Sequence, residues 1–372
     1  MVGLSWNKKE LSSEDILKYE KKYISSFEPV KTFKPFKEFK TLDTFSTPDN
    51  NWKNKLYWGD NLKIFYYLLN SFEEKIDLVY IDPPFFTGSN YNIVIKEENQ
   101  ERDYETTAYY DRWNNDIDQY LQMLYTRLIL LKRLLSHSGL LFIHLDWHSS
   151  HYIRLLLEEI FGAEHYINSI IWYYYNKYSA SKTNLPRAHD EILVYSKSDS
   201  YIFNELRVLR EKPTKQLKRE MVDGVLKNAK DEDGNIIYRI VKDKKLDDVW
   251  RIPCMQPASK QWTGYPTQKH HKLLERIIKL GTNKGDLVAD FFCGSGTTLY
   301  TAEKLNRRWM GADISRYAIY LTLKRIINYQ RKNKNKNVQL YPFELVTRLN
   351  EKKKKILNSD FFDKELTIKR KK

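Results

Sequence analysis

Short apolar runs alternate with stretches that are apolar every third or fourth residue. This alternation constrains the fold of the chain more than any other feature. Residues 56–58, 76–81, 140–145, 167–174, 190–196, 286–292 and 309–314 read as strands. Between them, Leu62, Phe65, Leu69 and Phe72 share one helix face. So do Tyr120, Leu121, Leu124, Leu128, Leu131 and Leu135, and again Leu273, Leu274, Ile277 and Ile278. Asp60, Asp116, Ser149 and Ser315 stand where helix caps are expected. Strands that alternate with helices predict an α/β fold, with a doubly wound, mainly parallel sheet covered on both faces. Ligands of such sheets sit beyond the carboxyl ends of the strands. The strand-exit turns are therefore where chemistry is expected.

One such turn is Asp82-Pro83-Pro84-Phe85, directly after the run 76–81. Proline fixes its own φ and pushes the residue before it towards an extended conformation. A carboxylate and nearby carbonyls can then face one small space with an aromatic ring beside it, which suits a planar group that carries an NH2. On their own the four residues fit a Pro-rich turn as well.

The second turn is Asp290-Phe291-Phe292-Cys293-Gly294-Ser295-Gly296-Thr297-Thr298. Its two glycines allow a sharp turn and a close approach to a ligand. No Gly-Lys-Ser/Thr follows, so it is not a phosphate loop, and Leu299 replaces the third glycine of a dinucleotide fingerprint. The next strand ends at Asp313, where a carboxylate can accept both ribose hydroxyls of a nucleoside. Together these features fit a nucleoside cofactor without a pyrophosphate.

The 372 residues suffice for one large domain or two smaller ones. Lys and Arg number 63 against 48 Asp and Glu, and the net charge of +15 favours a polyanionic partner. Aromatics reach 14%, and basic residues interleaved with rings suit backbone neutralisation plus base stacking. Cys254 and Cys293 are the two cysteines, too few for a disulfide framework or a thiolate zinc cage. No apolar stretch reaches membrane-spanning length and the N-terminus lacks a signal core, so a cytoplasmic protein with no membrane partner is expected. Residues 1–55 read as an N-terminal arm, with Phe33, Phe36 and Phe39 among lysines. Residues 86–115 read as a long polar loop, of the kind that forms lids and binding loops. Residues 199–256 are charged and weakly periodic, and read as a small inserted recognition region. Residues 330–372 read as a basic tail containing Lys352 to Lys355.

Asp290 to Gly296 resembles the S-adenosylmethionine motif of amino-group DNA methyltransferases, and Asp82 to Phe85 resembles their catalytic motif. The catalytic motif comes first and a recognition region lies between, an order similar to the circularly permuted β class. Tyr57-Trp58-Gly59-Asp60-Asn61 resembles the family's turn near the cofactor adenine. Residues 141–147 and 189–197 resemble its core strands, and Gly264-Tyr265-Pro266-Thr267-Gln268-Lys269 its motif beside the methionine moiety. Adenine-specific members, including type III modification subunits, resemble the chain most. Phe85 stands where Tyr is commoner, and His270 where the family often has Pro.

The resemblance implies a Rossmann-like methyltransferase fold split into a catalytic half, 56–198, and a cofactor half, 257–329. It implies methyl transfer from S-adenosylmethionine, leaving S-adenosylhomocysteine, to the N6 amine of an adenine flipped out of double-stranded DNA. Catalysis would fall to Asp82, Pro83, Pro84 and Phe85. The cofactor would be held by Asp60, Asn61, Asp82, Thr267, Gln268, Lys269, the run Asp290, Phe291, Phe292, Cys293, Gly294, Ser295, Gly296, Thr297 and Thr298, and Asp313. Tyr91, Arg187, Lys215, Lys218 and Arg219 are the candidate DNA contacts. Asp at the first catalytic position favours adenine, and N4-cytosine is the alternative. A homodimer and a cognate restriction endonuclease stay open as partners. No metal is required. His144, Asp146 and His148 alternate like ligands on one strand face, but they lie in a segment that matches a core strand of the family.

Overall fold

Ten strands share one sheet in the computed structural model of the chain, which describes residues 4–6, 9–34, 52–95, 104–113, 116–177, 182–334, 336 and 338–348. The first half contains α1 (Ser13–Tyr23), β1 (Glu28–Phe33), β2 (Asn54–Trp58), α2 (Asn61–Phe72) and β3 (Ile76–Ile81). There follow β4 (Asn90–Ile95), β5 (Tyr104–Tyr110), α3 (Ile117–Leu134), β6 (Leu135–Leu145), α4 (Ser150–Phe161), β7 (Tyr166–Tyr173) and β8 (His189–Ser196). A second compact unit, Asn204–Asp248, holds β9 (Arg207–Leu217), β10 (Arg219–Val222), β11 (Val225–Asn228) and β12 (Tyr238–Lys245). The chain then returns with β13 (Val249–Arg251), α5 (His271–Gly281), β14 (Leu287–Asp290), α6 (Thr297–Lys304), β15 (Arg308–Asp313), α7 (Arg316–Asn333) and β16 (Phe343–Thr347).

The sheet order is β1-β16-β2-β15-β14-β3-β6-β8-β7-β13. From β16 to β6 every neighbouring pair is parallel. The pairs β1·β16, β6·β8 and β7·β8 are antiparallel. Helices cover both faces, and alternation along β3 explains how. Leu78, with Leu140 and Phe142, meets Gly281 of α5. Val79 and Ile81, with Leu141 and Ile143, join the cluster formed by α2, α3 and α4. Full burial of each such side chain contributes about 1.5–3 kcal/mol, so a strand apolar on both faces is fixed in the centre of the sheet. The predicted caps of α2, α3 and α7 form: Asp60 accepts from Leu62 N, Asp116 from Gln119 N and Ser315 from Ala318 N.

Three sequence expectations need correction, and a fourth, the N-terminal arm, gains detail. The 86–115 loop contains an antiparallel hairpin, β4 with β5, because aromatic and β-branched residues recur along both arms. The N-terminal segment adds β1 to the sheet edge and packs α1 on α2, with the Tyr19 and Tyr66 rings 5.2 Å apart. Phe33 stacks on Phe343 at 4.6 Å, whereas Phe36 and Phe39 lie outside the described residues. The segment beyond residue 330 supplies β16, a fully buried strand between β1 and β2. Lys352 to Lys355 lie outside the described residues. Val249–Arg251, inside the expected insertion, pairs with β7 in the main sheet, since Trp250 is buried there.

The second unit is built differently. β9 pairs with β12, and β10 with β11 across an Asp223-Gly224 turn with both residues at positive φ. Leu209, Met221 and Ile240 are exposed, and among its described apolar residues Ala229 is buried.

Candidate active site

Because β2, β15, β14, β3 and β6 run parallel, their exits open on one side of the sheet. A cavity of about 740 Å³ lies there. Its walls include Asp60 and Asn61 after β2, Asp313 after β15, Asp290 to Ser295 after β14, Asp82 to Phe85 after β3, and Thr267 to Lys269 before α5. Two turns 208 residues apart in sequence, at Asp82 and Asp290, thus share one wall because β3 and β14 are neighbours.

Asp82 has two unlike oxygens. Oδ2 accepts the Lys269 ammonium at 2.5 Å. Oδ1 is buried and has no hydrogen-bond partner among the described residues, with His144 Nδ1 3.5 Å away. The Pro84 carbonyl accepts the Tyr120 hydroxyl at 2.9 Å. Among the described residues no donor bonds the Pro83 carbonyl. The Phe85 ring lies 5.5 Å from the His144 ring and 5.5 Å from the Lys269 ammonium.

The chain leaves this turn through Phe86 at φ 67°, a conformation that L side chains rarely adopt. Asp111 holds it there. Its carboxylate accepts Phe86 N at 2.9 Å, Thr87 N at 2.8 Å, the Thr87 hydroxyl at 2.6 Å and the Trp113 indole at 3.0 Å. Asp111 is 1% exposed. Sequence reasoning misses it, since an acid in a polar stretch gives no signal of burial. Across the cavity Thr267 is likewise strained, at φ 60°, and its carbonyl lies 3.4 Å from the Lys269 ammonium. Gln268, on the cavity wall, ties its own loop, bonding Gln261 O, Thr263 N and the Thr263 hydroxyl.

The glycine turn is held from below. Asp290 accepts Phe292 N at 3.0 Å and the Thr298 hydroxyl at 2.5 Å. Burial, reinforced by the charges of Asp82 and Asp313, still pushes its carboxyl up to about 7. Asp313 accepts Gly294 N at 2.9 Å and Ser315 N at 2.8 Å, and burial raises it to about 6. Gly294 and Gly296 both have positive φ. A Cβ at Gly294 would lie 2.9 Å from the Tyr265 ring, and one at Gly296 would lie 2.5 Å from the Thr322 hydroxyl. Gly296 therefore packs beneath the turn and is not part of the cavity wall. Arg325 bonds Ser295 O and the Thr297 hydroxyl. Asn61 donates to Phe291 O at 2.9 Å, and Arg127 bonds both Asn61 and Asp60. Burial raises the thiol of Cys293.

The candidate DNA contacts fall on both compact units. The Tyr91 hydroxyl lies 3.4 Å from that of Thr87. The Arg187 guanidinium covers the half-exposed Trp147 ring at 3.8 Å. Lys215, over Tyr238, belongs to the second unit with Lys218 and Arg219. The supposed ligand strand does not present three side chains together. His144 bonds Tyr80 and Asp190, while His148 bonds Asp146 just beyond the strand.

Residues 76–324 match the profile of the DNA methylase family that unites N6 and N4 enzymes. The chain belongs to that family. It is 28% identical over 325 residues to the type II methyltransferase M.EcaI of Enterobacter cloacae, covering 73% of this chain and 69% of that protein. It is 24% identical over 337 residues to the Mod subunit of the type III enzyme StyLTI of Salmonella typhimurium, covering 69% of this chain and 51% of the subunit. With the DNA adenine methyltransferase YhdJ of Escherichia coli it shares 26% identity over 254 residues, 68% of this chain and 76% of that one.

This methylase acts on DNA, and its family draws the methyl group from S-adenosylmethionine. The site fits that cofactor. Three carboxylates, Asp82, Asp290 and Asp313, line a cavity suited to a ligand bearing a sulfonium and an ammonium, and Gly294, at positive φ, brings the backbone up to it. Among the described residues no helix is long and apolar enough to cross a membrane.

Proposed function

We propose that this methylase modifies the exocyclic N6 amine of adenine in duplex DNA, as the modification half of a restriction-modification system. The reading is carried by the Asp82 turn, where a carboxylate and the unbonded Pro83 carbonyl stand beside the Phe85 ring in the cavity shared with the glycine turn. The lone pair of an aromatic amine is delocalised into its ring, so the amine is a poor nucleophile. Asp82 and Pro83 accept its two N–H bonds and turn the lone pair outward, and Phe85 stacks on the base. The target amine takes the place of the Lys269 ammonium on Asp82 Oδ2. The cofactor, when bound, supplies a methyl group on a good leaving group. Asp60, Asn61, Thr267, Asp290 to Ser295, Thr297, Thr298 and Asp313 hold it, while Gln268 and Gly296 shape the loops that do so. Positioning then does most of the work.

The base must leave the helix to reach this cavity, at a cost of a few kcal/mol. Tyr91 and Arg187 contact the DNA beside the flipped base, and Lys215, Lys218 and Arg219 carry recognition within 199–256. The aspartate that opens the turn supports adenine, as does the 26% identity to the DNA adenine methyltransferase YhdJ. A cognate restriction endonuclease and a second copy of the chain belong to the same proposal, tested by co-purification and ultracentrifugation. Incubation with labelled cofactor and assorted duplexes, followed by nucleoside analysis, tests the chemistry. N6-methyladenine is expected, and N4-methylcytosine would replace the adenine reading.

A further inference from the structure

Methylation of an amine leaves the nitrogen with one proton too many. The new N–CH3 bond forms as the S–CH3 bond breaks, with its electron pair left on sulfur, and an N–H proton must then leave. Asp82 is the first acceptor within reach, but a flipped base and a bound cofactor close it off from water. What lies behind Asp82 offers a second.

His144, on β6, is fully buried. Its Nε2 lies 3.1 Å from Asp190 Oδ2 on β8. Its Nδ1 lies 3.1 Å from the Tyr80 hydroxyl on β3 and 3.5 Å from Asp82 Oδ1. Burial, then the charges of Asp82, Asp290 and Asp190, raise the Tyr80 phenol far above its ordinary range, so it stays protonated and donates to Nδ1. Burial alone would raise Asp190. The His144 hydrogen bond and charge, with Lys269 and the Tyr174 hydroxyl at 3.1 Å, hold it below the ordinary carboxylate range instead. An ionised Asp190 accepts, so Nε2 carries the ring proton and Nδ1 presents a lone pair. The Tyr80 hydroxyl occupies that lone pair, and Asp82 Oδ1, a buried oxygen with no hydrogen-bond donor among the described residues, lies 3.5 Å from the same nitrogen. Once the hydroxyl turns off Nδ1, two acceptors face each other across that gap, an arrangement that becomes favourable when a proton lies between them.

We propose that His144 is a proton store for the transfer step: it takes the amine's proton by way of Asp82 and holds it, as an imidazolium between two carboxylates, until the product leaves. The proton passes from nitrogen to Asp82 Oδ2, rotation of the carboxyl group brings it to the His144 side, and it moves from there to His144 Nδ1. Asp190 balances the new charge. When the methylated base departs, water reaches Asp82 and the proton returns by the same path, restoring the starting tautomer. His144 acts through Asp82 and so is a positioning and storing residue. The proposal rests on the methyl-transfer reading above.

Three measurements test it. In the cofactor-free protein, 15N NMR of the histidines should find one buried ring protonated at Nε2 and bare at Nδ1; the opposite tautomer overturns the proposal. In a single turnover of the native protein, rapid quench follows methyl transfer while a pH indicator follows the proton. The proton should reach solvent late, at the rate of product release; release in step with methyl transfer overturns the store. His144→Gln keeps a donor for Asp190 but no acceptor for Asp82. It should slow transfer about 100-fold with cofactor and DNA affinities unchanged, and an unchanged rate counts against the store. If the native protein methylates no DNA, the functional reading falls first, and this proposal with it.

Discussion

The Lys269 ammonium lies 2.5 Å from Asp82 Oδ2, so the chain's own cation occupies the oxygen to which the target amine is assigned. Asp82 Oδ1 has no hydrogen-bond partner, so Lys269 is the sole hydrogen-bond donor to that carboxylate among the described residues. Lys269→Met therefore leaves a largely buried anion unsatisfied and should lower the stability of the cofactor-free protein by about 1–3 kcal/mol. Adding Asp82→Asn should recover part of the loss. Urea unfolding of both variants checks this, and an unaltered midpoint in Lys269→Met would mean that solvent screens the pair.

Asp82→Ala should abolish methyl transfer while cofactor still binds, as read by calorimetry. Turnover at the native rate would remove Asp82 from the chemistry.

Phe85 presents a ring and no hydroxyl. Phe85→Tyr should retain transfer, whereas Phe85→Ala forfeits stacking worth about 1–3 kcal/mol. The loss should appear as weaker capture of the flipped base, followed by 2-aminopurine fluorescence. Equal signals from the two variants would refute a stacking role.

Asp111 gathers four donors to hold Phe86 and Thr87 against an unfavourable φ. Asp111→Asn turns one acceptor edge into a donor edge. It should slow transfer about 100-fold through misplacement of the Asp82 turn, with cofactor affinity unchanged. Loss of cofactor binding instead would place Asp111 in the general stability of the domain.

Asp290 and Asp313 titrate near 7 and 6, with burial as the leading cause, against an ordinary value of 3.8. The cofactor carries a sulfonium charge, so it binds best where both are ionised. Affinity should rise from pH 5.5 to pH 7.5, by at most about tenfold per unit for each carboxyl. For folding the sign is opposite. Between about pH 4 and 7 the native state holds protons that the unfolded state has lost, so stability falls as pH rises through that window. Asp290→Asn should flatten both profiles, and a flat native profile would refute the assignment.

The parallel sheet, its exits and both turns were legible because each rests on local signals: apolar runs, caps, prolines and paired glycines. What was illegible depends on distant partners. Asp111 is buried because donors from Phe86, Thr87 and Trp113 surround it, and nothing near it in sequence announces that. The His144 network joins β3, β6 and β8. β16 lies beyond a Lys-rich stretch and reads Phe-Glu-Leu-Val-Thr, so the charge within and around it masks a fully buried strand. Gly296 was assigned to the ligand by motif, yet it serves the packing against Thr322.

The place of β16 also bears on synthesis. β2, which leads into Gly59 and Asp60, is flanked by β15 and β16. Both neighbours leave the ribosome long after β2, which ends at residue 58, with β15 beginning at residue 308 and β16 at residue 343. Until then β2 has no neighbour to pair with, whereas β3 can already pair with β6. The nascent chain can thus assemble the Asp82 turn early but cannot finish the cofactor side of the cavity. A DNA-modifying enzyme built this way stays inert until synthesis has passed β16.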